Sequence, residues 1–183
     1  MSLGGIAGSG RLDLVIGGRW YEAPANIMAD HWQEHVFAEW PADAVVALAD
    51  MSGDGRPDVV LTRSEGHHRL SWFERPSDRR PGMWKEHVVE DSLDFAHSLA
   101  VCDREDGQVY LVTAEMHQSP RKRVMVYQGR QGGQQWTREI IARTGSHNLC
   151  VLPLGDSGRL SIVGANWSGG YQPLELWEQA AGE

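Results

Sequence analysis

Cysteine is scarce in this chain: its 183 residues hold two, Cys102 and Cys150. Both fall in apolar, strand-like runs at positions that an internal repeat does not make equivalent. They are therefore expected to be buried free thiols rather than a disulfide. Long hydrophobic runs are missing too. No stretch approaches the ~18 apolar residues of a membrane-spanning helix. The opening Met1-Ser-Leu-Gly-Gly-Ile-Ala-Gly8 lacks the basic and apolar segments of a signal peptide. Clustered positive charge is the third absence. Seventeen Lys and Arg face 25 Asp and Glu, for a net charge of -8. Arg79-Arg80 and Arg121-Lys122-Arg123 are too short to form a basic stripe. Neither nucleic acid nor a membrane is an expected partner. Helical periodicity is also absent, since no window carries an apolar helical pattern past about two turns.

What is present is a repeat. Trp32, Trp84 and Trp136 sit 52 residues apart, each opening a near-copy of one phrase: His31-Trp-Gln-Glu-His-Val36, Met83-Trp-Lys-Glu-His-Val88 and Gln135-Trp-Thr-Arg-Glu-Ile140. A fixed period of this size marks a repeat architecture. Each unit then shows an apolar run (Ala44 to Leu48, His97 to Cys102, His147 to Leu152) and a turn with Gly55, Gly107 or Gly158. A β-branched run follows (58–62, 109–113, 160–164), then an aromatic one (70–73, 124–127, 174–177). Short β-rich runs between Gly, Asp and Pro turns predict antiparallel meanders.

Four strands per unit of about 52 residues predict an all-β fold built of β-propeller blades. The whole of 1–183 reads as one domain, with full blades at 43–90 and 96–142 and partial blades at 11–40 and 146–179. The first is expected to lack an inner strand and the last an outer one. A stack of that kind leaves sheet edges open, so a homo-oligomer or an additional chain is expected to complete the ring. The repeated tryptophans are expected to fill the space between neighbouring sheets. His35 and His87, inside the Trp phrases, repeat with that scaffold and are read as structural.

Two places carry chemistry. The first is the turn Asp50-Met-Ser-Gly-Asp-Gly-Arg-Pro-Asp58. Oxygen donors at Asp50, Ser52, Asp54 and Asp58 have the 1-3-5-9 spacing that wraps a hard cation, with Gly55 allowing the bend, and Ca2+ suits such an oxygen cage. An Asp/Gly-rich turn is equally just a good turn. The second is where the units diverge. Gly18, Arg63, Glu115 and Asn166 follow successive second strands, while Ala44, His97 and His147 begin first strands. In a meander these two places share one end, so one face should gather Arg63, His97, Glu115, His147 and Asn166, with His117, Asn148, Trp167 and the pair His67-His68 nearby. Such a set suits a sugar: Trp167 to stack on a pyranose, Arg63 to hold a carboxylate, and Asn166, Asn148 and His117 to meet hydroxyls. His97, Glu115, His117 and His147 are also a candidate transition-metal set.

The phrase Asp-x-Ser-Gly-Asp-Gly-x-Pro-Asp-Val-Val, with Trp72-Phe-Glu-x-Pro76 and Trp84-x-x-His-Val88 after it, resembles the FG-GAP or VCBS repeat of β-propellers. Relatives occur in integrin α-subunit heads, in bacterial carbohydrate-active proteins and in the propeller part of aldos-2-ulose dehydratase. The resemblance runs from Leu12 to Trp177 and implies a propeller, with calcium in the Asp-rich turn. The Phe-Gly-Gly-Ala-Pro phrase of the integrin-type repeat is absent. The resemblance points to a carbohydrate-binding or carbohydrate-processing protein, the latter as a lyase or dehydratase. In that reading His97 or His147 removes a proton next to a carbonyl or carboxyl group, with Glu115 as the other candidate base, while Arg63 or a metal stabilises the enolate. The other reading is a non-catalytic protein-interaction or scaffold propeller. Relatives are commonly exported, and the sequence leaves the compartment open.

Overall fold

A computed structural model describes residues 1–28, 30–78, 82–104, 106–153, 160–166 and 174–179. Among them there is no helix, and fifteen strands form four antiparallel sheets. The first sheet contains β1 (Ser2–Gly4), β2 (Asp13–Ile16), β3 (Arg19–Glu22) and β4 (Gln33–Val36). The second contains β5 (Ala44–Ala49), β6 (Asp58–Arg63), β7 (His67–Glu74) and β8 (Lys85–Asp94). β9 (Ala96–Asp103), β10 (Gln108–Glu115), β11 (Val124–Arg130) and β12 (Thr137–Ala142) make the third. The fourth has β13 (Asn148–Pro153), β14 (Leu160–Ala165) and β15 (Leu174–Glu178). Strands pair in chain order in every sheet, so each is a simple meander. One expectation is corrected here. The first unit does have an innermost strand, because Ser2, Leu3 and Gly4 pair with Val15, Leu14 and Asp13.

Local chemistry makes the meanders tight. β2 and β3 are joined by Gly17-Gly18 alone, with Ile16 opposite Arg19. Gly17 has φ 56°, and a Cβ on Gly18 would lie 2.0 Å from the Ala38 carbonyl oxygen. A two-residue hairpin needs this left-handed backbone, which glycine adopts without strain.

The sheets stack face to face, with first strands as neighbours: β1 beside β5, β5 beside β9, and β9 beside β13. The second strands of the two middle sheets, β6 and β10, are therefore buried on both faces along almost their whole length. The two-residue strand period assigns alternate side chains to opposite neighbours. Val59 and Leu61 meet Val15 and Phe37 in the joint with the first sheet. Val60, one residue on, turns with Leu70 and Trp72 to meet Val109, Leu111 and Tyr127 of the third. Tyr110 and Val112 then meet Leu160 and Ile162 of the fourth. Each fully buried Val, Leu or Phe contributes about 1.5–3 kcal/mol of transfer free energy.

The repeated tryptophans belong to these joints. Trp84 packs on Phe37, ring centroids 4.7 Å apart, in the joint with the first sheet. Trp136 packs in the joint between second and third sheets, so close over Gly129 that a Cβ there would sit 2.7 Å from the ring. Trp32 is half-buried on the first sheet. Both thiols are free, but the expectation that both are buried is corrected: Cys102 is partly buried and Cys150 is exposed. Cys150 lies on the face of the fourth sheet opposite the one that packs on the third, because Val151 and Leu149 take the inward positions of β13.

Candidate functional site: a histidine pair at the strand ends

β9 opens with Ala96-His97, and His147 directly precedes β13. Because β9 and β13 are neighbours, the two imidazoles stack, with centroids 3.9 Å apart at 25°. His97 Nδ1 lies 3.2 Å from the His147 carbonyl oxygen. A carbonyl only accepts, so Nδ1 carries the proton and donates. In neutral His97 the Nε2 lone pair is then the basic position. Burial lowers the His147 pKa from its ordinary value, and positive charge on His97 and His117 would lower it further. The structure thus brings His97, His117 and His147 together, with all three rings partly exposed.

The start of β9 is pinned by Phe95, a residue the sequence did not single out. It sits at φ 50°, a left-handed conformation that costs a bulky residue on the order of 1–3 kcal/mol. Its N–H donates to the Gly66 carbonyl at 2.8 Å, and its own carbonyl accepts from His97 and Met116 N–H at 2.9 Å each. One carbonyl therefore ties the start of β9 to the chain that follows β10.

Glu115 is not available as a base. It is fully buried. Its Oε1 accepts from Arg123 Nη2 at 2.6 Å and Asp94 N–H at 3.1 Å, and the Arg121 guanidinium forms an ion pair with it at 3.2 Å. Its Oε2 accepts from Ser119 Oγ at 3.0 Å and Arg123 N–H at 3.1 Å. Burial alone would raise the pKa, but Arg123's guanidinium and the backbone N–H groups outweigh it and hold the carboxyl below its ordinary value. Arg123 is itself buried, so Glu115 and Arg123 form a buried ion pair.

Arg63 ends β6 at the matching place, opposite Ala44. Its Nε donates to both oxygens of Asp43, at 3.1 and 3.0 Å. Asn166 uses Nδ2 to hold the Thr144 and Gly145 carbonyls at 3.2 and 3.0 Å, while its Oδ1 is enclosed without a hydrogen-bond partner among the described residues. Asn148 is exposed, and its carbonyl accepts from Ser146 Oγ at 2.6 Å. Trp167 lies outside the described residues.

The Asp50–Asp58 turn closes on itself. Asp50 Oδ1 accepts from Gly53 and Asp54 N–H at 2.7 and 3.0 Å, and lies 3.4 Å from Ser52 Oγ; its Oδ2 accepts from Gly55 N–H at 2.8 Å. Asp54 pairs with the Arg56 guanidinium, which holds its pKa low. Asp58 is fully buried and accepts from Ser52 N–H at 2.8 Å and Arg75 N–H at 2.7 Å; burial pushes its carboxyl up in spite of them. Asp13 in the first sheet is equally buried and accepts from Ala7 and Ala23 N–H at 2.6 and 2.9 Å, with no Asp-rich turn before it. This position therefore clamps the backbone wherever it occurs. As folded, the carboxylate oxygens of the turn accept from its own N–H groups and pair with Arg56. Among the described residues no group of three or more His, Cys, Asp or Glu is arranged to hold a metal ion. Of the candidate transition-metal set, Glu115 faces arginine and backbone donors.

No family model, curated protein or solved structure matches this chain. Its site must be judged on its own geometry. That geometry offers two neutral-capable imidazoles in contact, a third within electrostatic reach, a guanidinium backed by Asp43, and an enclosed amide oxygen with no donor. These are hydrogen-bonding groups of both senses at one end of the sheets, and none is an activated nucleophile.

Proposed function

We propose that the chain is a β-propeller module whose four sheets are blades, and that it binds carbohydrate at the end carrying His97 and His147. Four meanders stacked through neighbouring first strands support the propeller reading. The observation that carries the binding reading is the stacked His97–His147 pair. Neutral imidazoles donate and accept at once, as sugar hydroxyls do. Arg63 supplies positive charge for an acidic sugar. The same end also suits a protein partner rich in hydroxyl or carboxylate groups.

A proton-abstracting role, as in a lyase, is favoured by one observation. The depressed pKa keeps His147 unprotonated at neutral pH, the form a general base requires. In such a step the base takes the proton beside a uronate carboxylate and the bond to the neighbouring oxygen breaks. A carbon–carbon double bond remains and the departing oxygen is protonated.

The test is calorimetric titration with oligogalacturonate and with a neutral gluco-oligosaccharide, alongside absorbance of unsaturated uronate. Binding of the acidic sugar is expected, weakened about tenfold in His97→Ala, which corresponds to a lost polar contact of ~1.4 kcal/mol. Growth of absorbance that vanishes in His147→Gln would make the module a lyase. No heat with either sugar would sink the carbohydrate reading and leave the protein-interaction or scaffold propeller.

A further inference from the structure

The three joints between sheets share one construction. Each sheet presents to the sheet before it the first and third residues of an apolar run on its second strand: Val59 and Leu61, Val109 and Leu111, Leu160 and Ile162. The second and third sheets also present the repeated tryptophan that precedes their last strand, Trp84 and Trp136. Leu14 and Ile16 occupy the corresponding places on the first sheet, since Asp13 and Asp58 are equivalent buried clamps that open β2 and β6. Trp32 occupies the tryptophan position. Yet among the described residues this face of the first sheet packs against no other sheet. Leu3, paired with Leu14, is 59% exposed, and Ile16 and Val36 are 39% and 42% exposed.

The complementary half is on the fourth sheet. Its inward positions, Val151, Ile162 and Trp177, lie opposite one another and pack on the third sheet. The alternate positions Cys150, Val163 and Leu176 also lie opposite one another and face away. Cys150 is exposed, Leu152 and Leu176 are 40% and 54% exposed, and Leu174 is 77% exposed. A contiguous apolar face of this kind on a soluble domain marks an interaction surface. Among the described residues no comparable packing brings the fourth sheet back to the first.

We propose that these two faces are the halves of one further joint, and that a second copy of this chain completes it, its first sheet seated on the fourth sheet of its partner. The internal joints supply the reason. Both halves of the recurring interface have counterparts in this one sequence. The first sheet carries the repeated tryptophan, with the exposed Arg19–Glu34 pair on the same face. The contact is head to tail, and a ring of two copies would satisfy both faces of each chain. This inference does not depend on the bound ligand.

Light scattering over a range of concentrations tests it, using the full chain and the variants Leu176→Glu and Ile16→Glu. Both positions are exposed, and far-UV circular dichroism confirms that each variant folds. The wild-type chain is expected at twice the chain mass, and each variant alone at the monomer mass. An equimolar mixture of the two variants should recover a dimer, because each contributes the face that the other has lost. Cys150 should react with a thiol reagent several times faster in Leu176→Glu than in the wild type. A wild-type monomer at every concentration would overturn the proposal. So would assembly that survives Ile16→Glu while Leu176→Glu abolishes it, the result for fourth sheets packed back to back.

Discussion

His87 lies flat on Trp72, with ring centroids 3.8 Å apart and planes within 3°. Its Nε2 lies 2.8 Å from Glu74 Oε2. Fifty-two residues earlier, His35 stacks on Trp20 at 4.0 Å and 9°, with Nε2 3.5 Å from Glu22. The repeat thus carries a three-residue device across two strands, and the histidine with an 8%-exposed side chain is the structural one. His87→Ala is expected to cost about 1.5–3 kcal/mol, through the lost stack and the lost hydrogen bond to Glu74. His97→Ala should cost under about 1 kcal/mol, since its ring is partly exposed. Urea unfolding of the two variants checks this; equal losses would show that the stacked pair at the strand ends is scaffold as well.

Removal of Asp58 and of Asp13 should have the same effect. Each alanine substitution leaves two backbone N–H groups buried without an acceptor, at about 2–5 kcal/mol for the pair. Millimolar calcium should leave the wild-type melting temperature unchanged, because the Asp50 and Asp58 oxygens already accept from N–H groups. A calcium-dependent rise of several degrees, lost in Asp50→Ala, would show that the turn opens to take the ion.

Glu115→Gln should destabilise the chain by about 3–5 kcal/mol, the range for breaking a buried ion pair and leaving Arg123 without its counter-charge. Replacing both by methionine should recover only the share due to the unpaired charge, because Asp94 N–H, Arg123 N–H and Ser119 Oγ then lack their acceptor. The two residues are in contact, so their effects will not add. A denaturation double-mutant cycle measures the coupling, and strict additivity would contradict the pairing.

Stability should fall with acid in two stages. His147 and His68 both have folded pKa values depressed first by burial. A depressed histidine binds fewer protons folded than unfolded, so its contribution is complete above the unfolded value of about 6.5 and is lost as pH falls through the folded one. Glu115 and Glu86, also depressed, lose theirs at lower pH, below the ordinary carboxylate value of about 4.3. Denaturation midpoints measured from pH 7.5 downward should therefore begin to drop near 6.5. His147→Gln should flatten that first stage, and an unchanged profile would remove His147 from the account.

Much of the fold is legible in the residues because it rests on short-range pattern. Two-residue alternation in Val59-Val-Leu61, the aromatic runs, and Gly17-Gly18 specify strands and turns locally. The 52-residue recurrence of Trp32, Trp84 and Trp136 says that units stack. The short β1 escapes that reading, since Ser2-Leu-Gly4 has no β-rich run and pairs only because β2 is there to receive it. Glu115 and the Asp50–Asp58 turn are ambiguous in sequence for a related reason. Acidic residues at strand ends look alike in sequence, whether they face solvent, a cation or an arginine.

The sequence by itself determined an all-β chain of repeated units, for strand period and turn chemistry act over a few residues. Only the tertiary structure decided the fate of each polar group. It enclosed Glu115 with Arg123, turned Asp58 into a backbone clamp, and laid His97 against His147, 50 residues away along the chain. Those partners are set by sheet register and by which strand end meets which, and such distances are invisible until the chain has closed on itself.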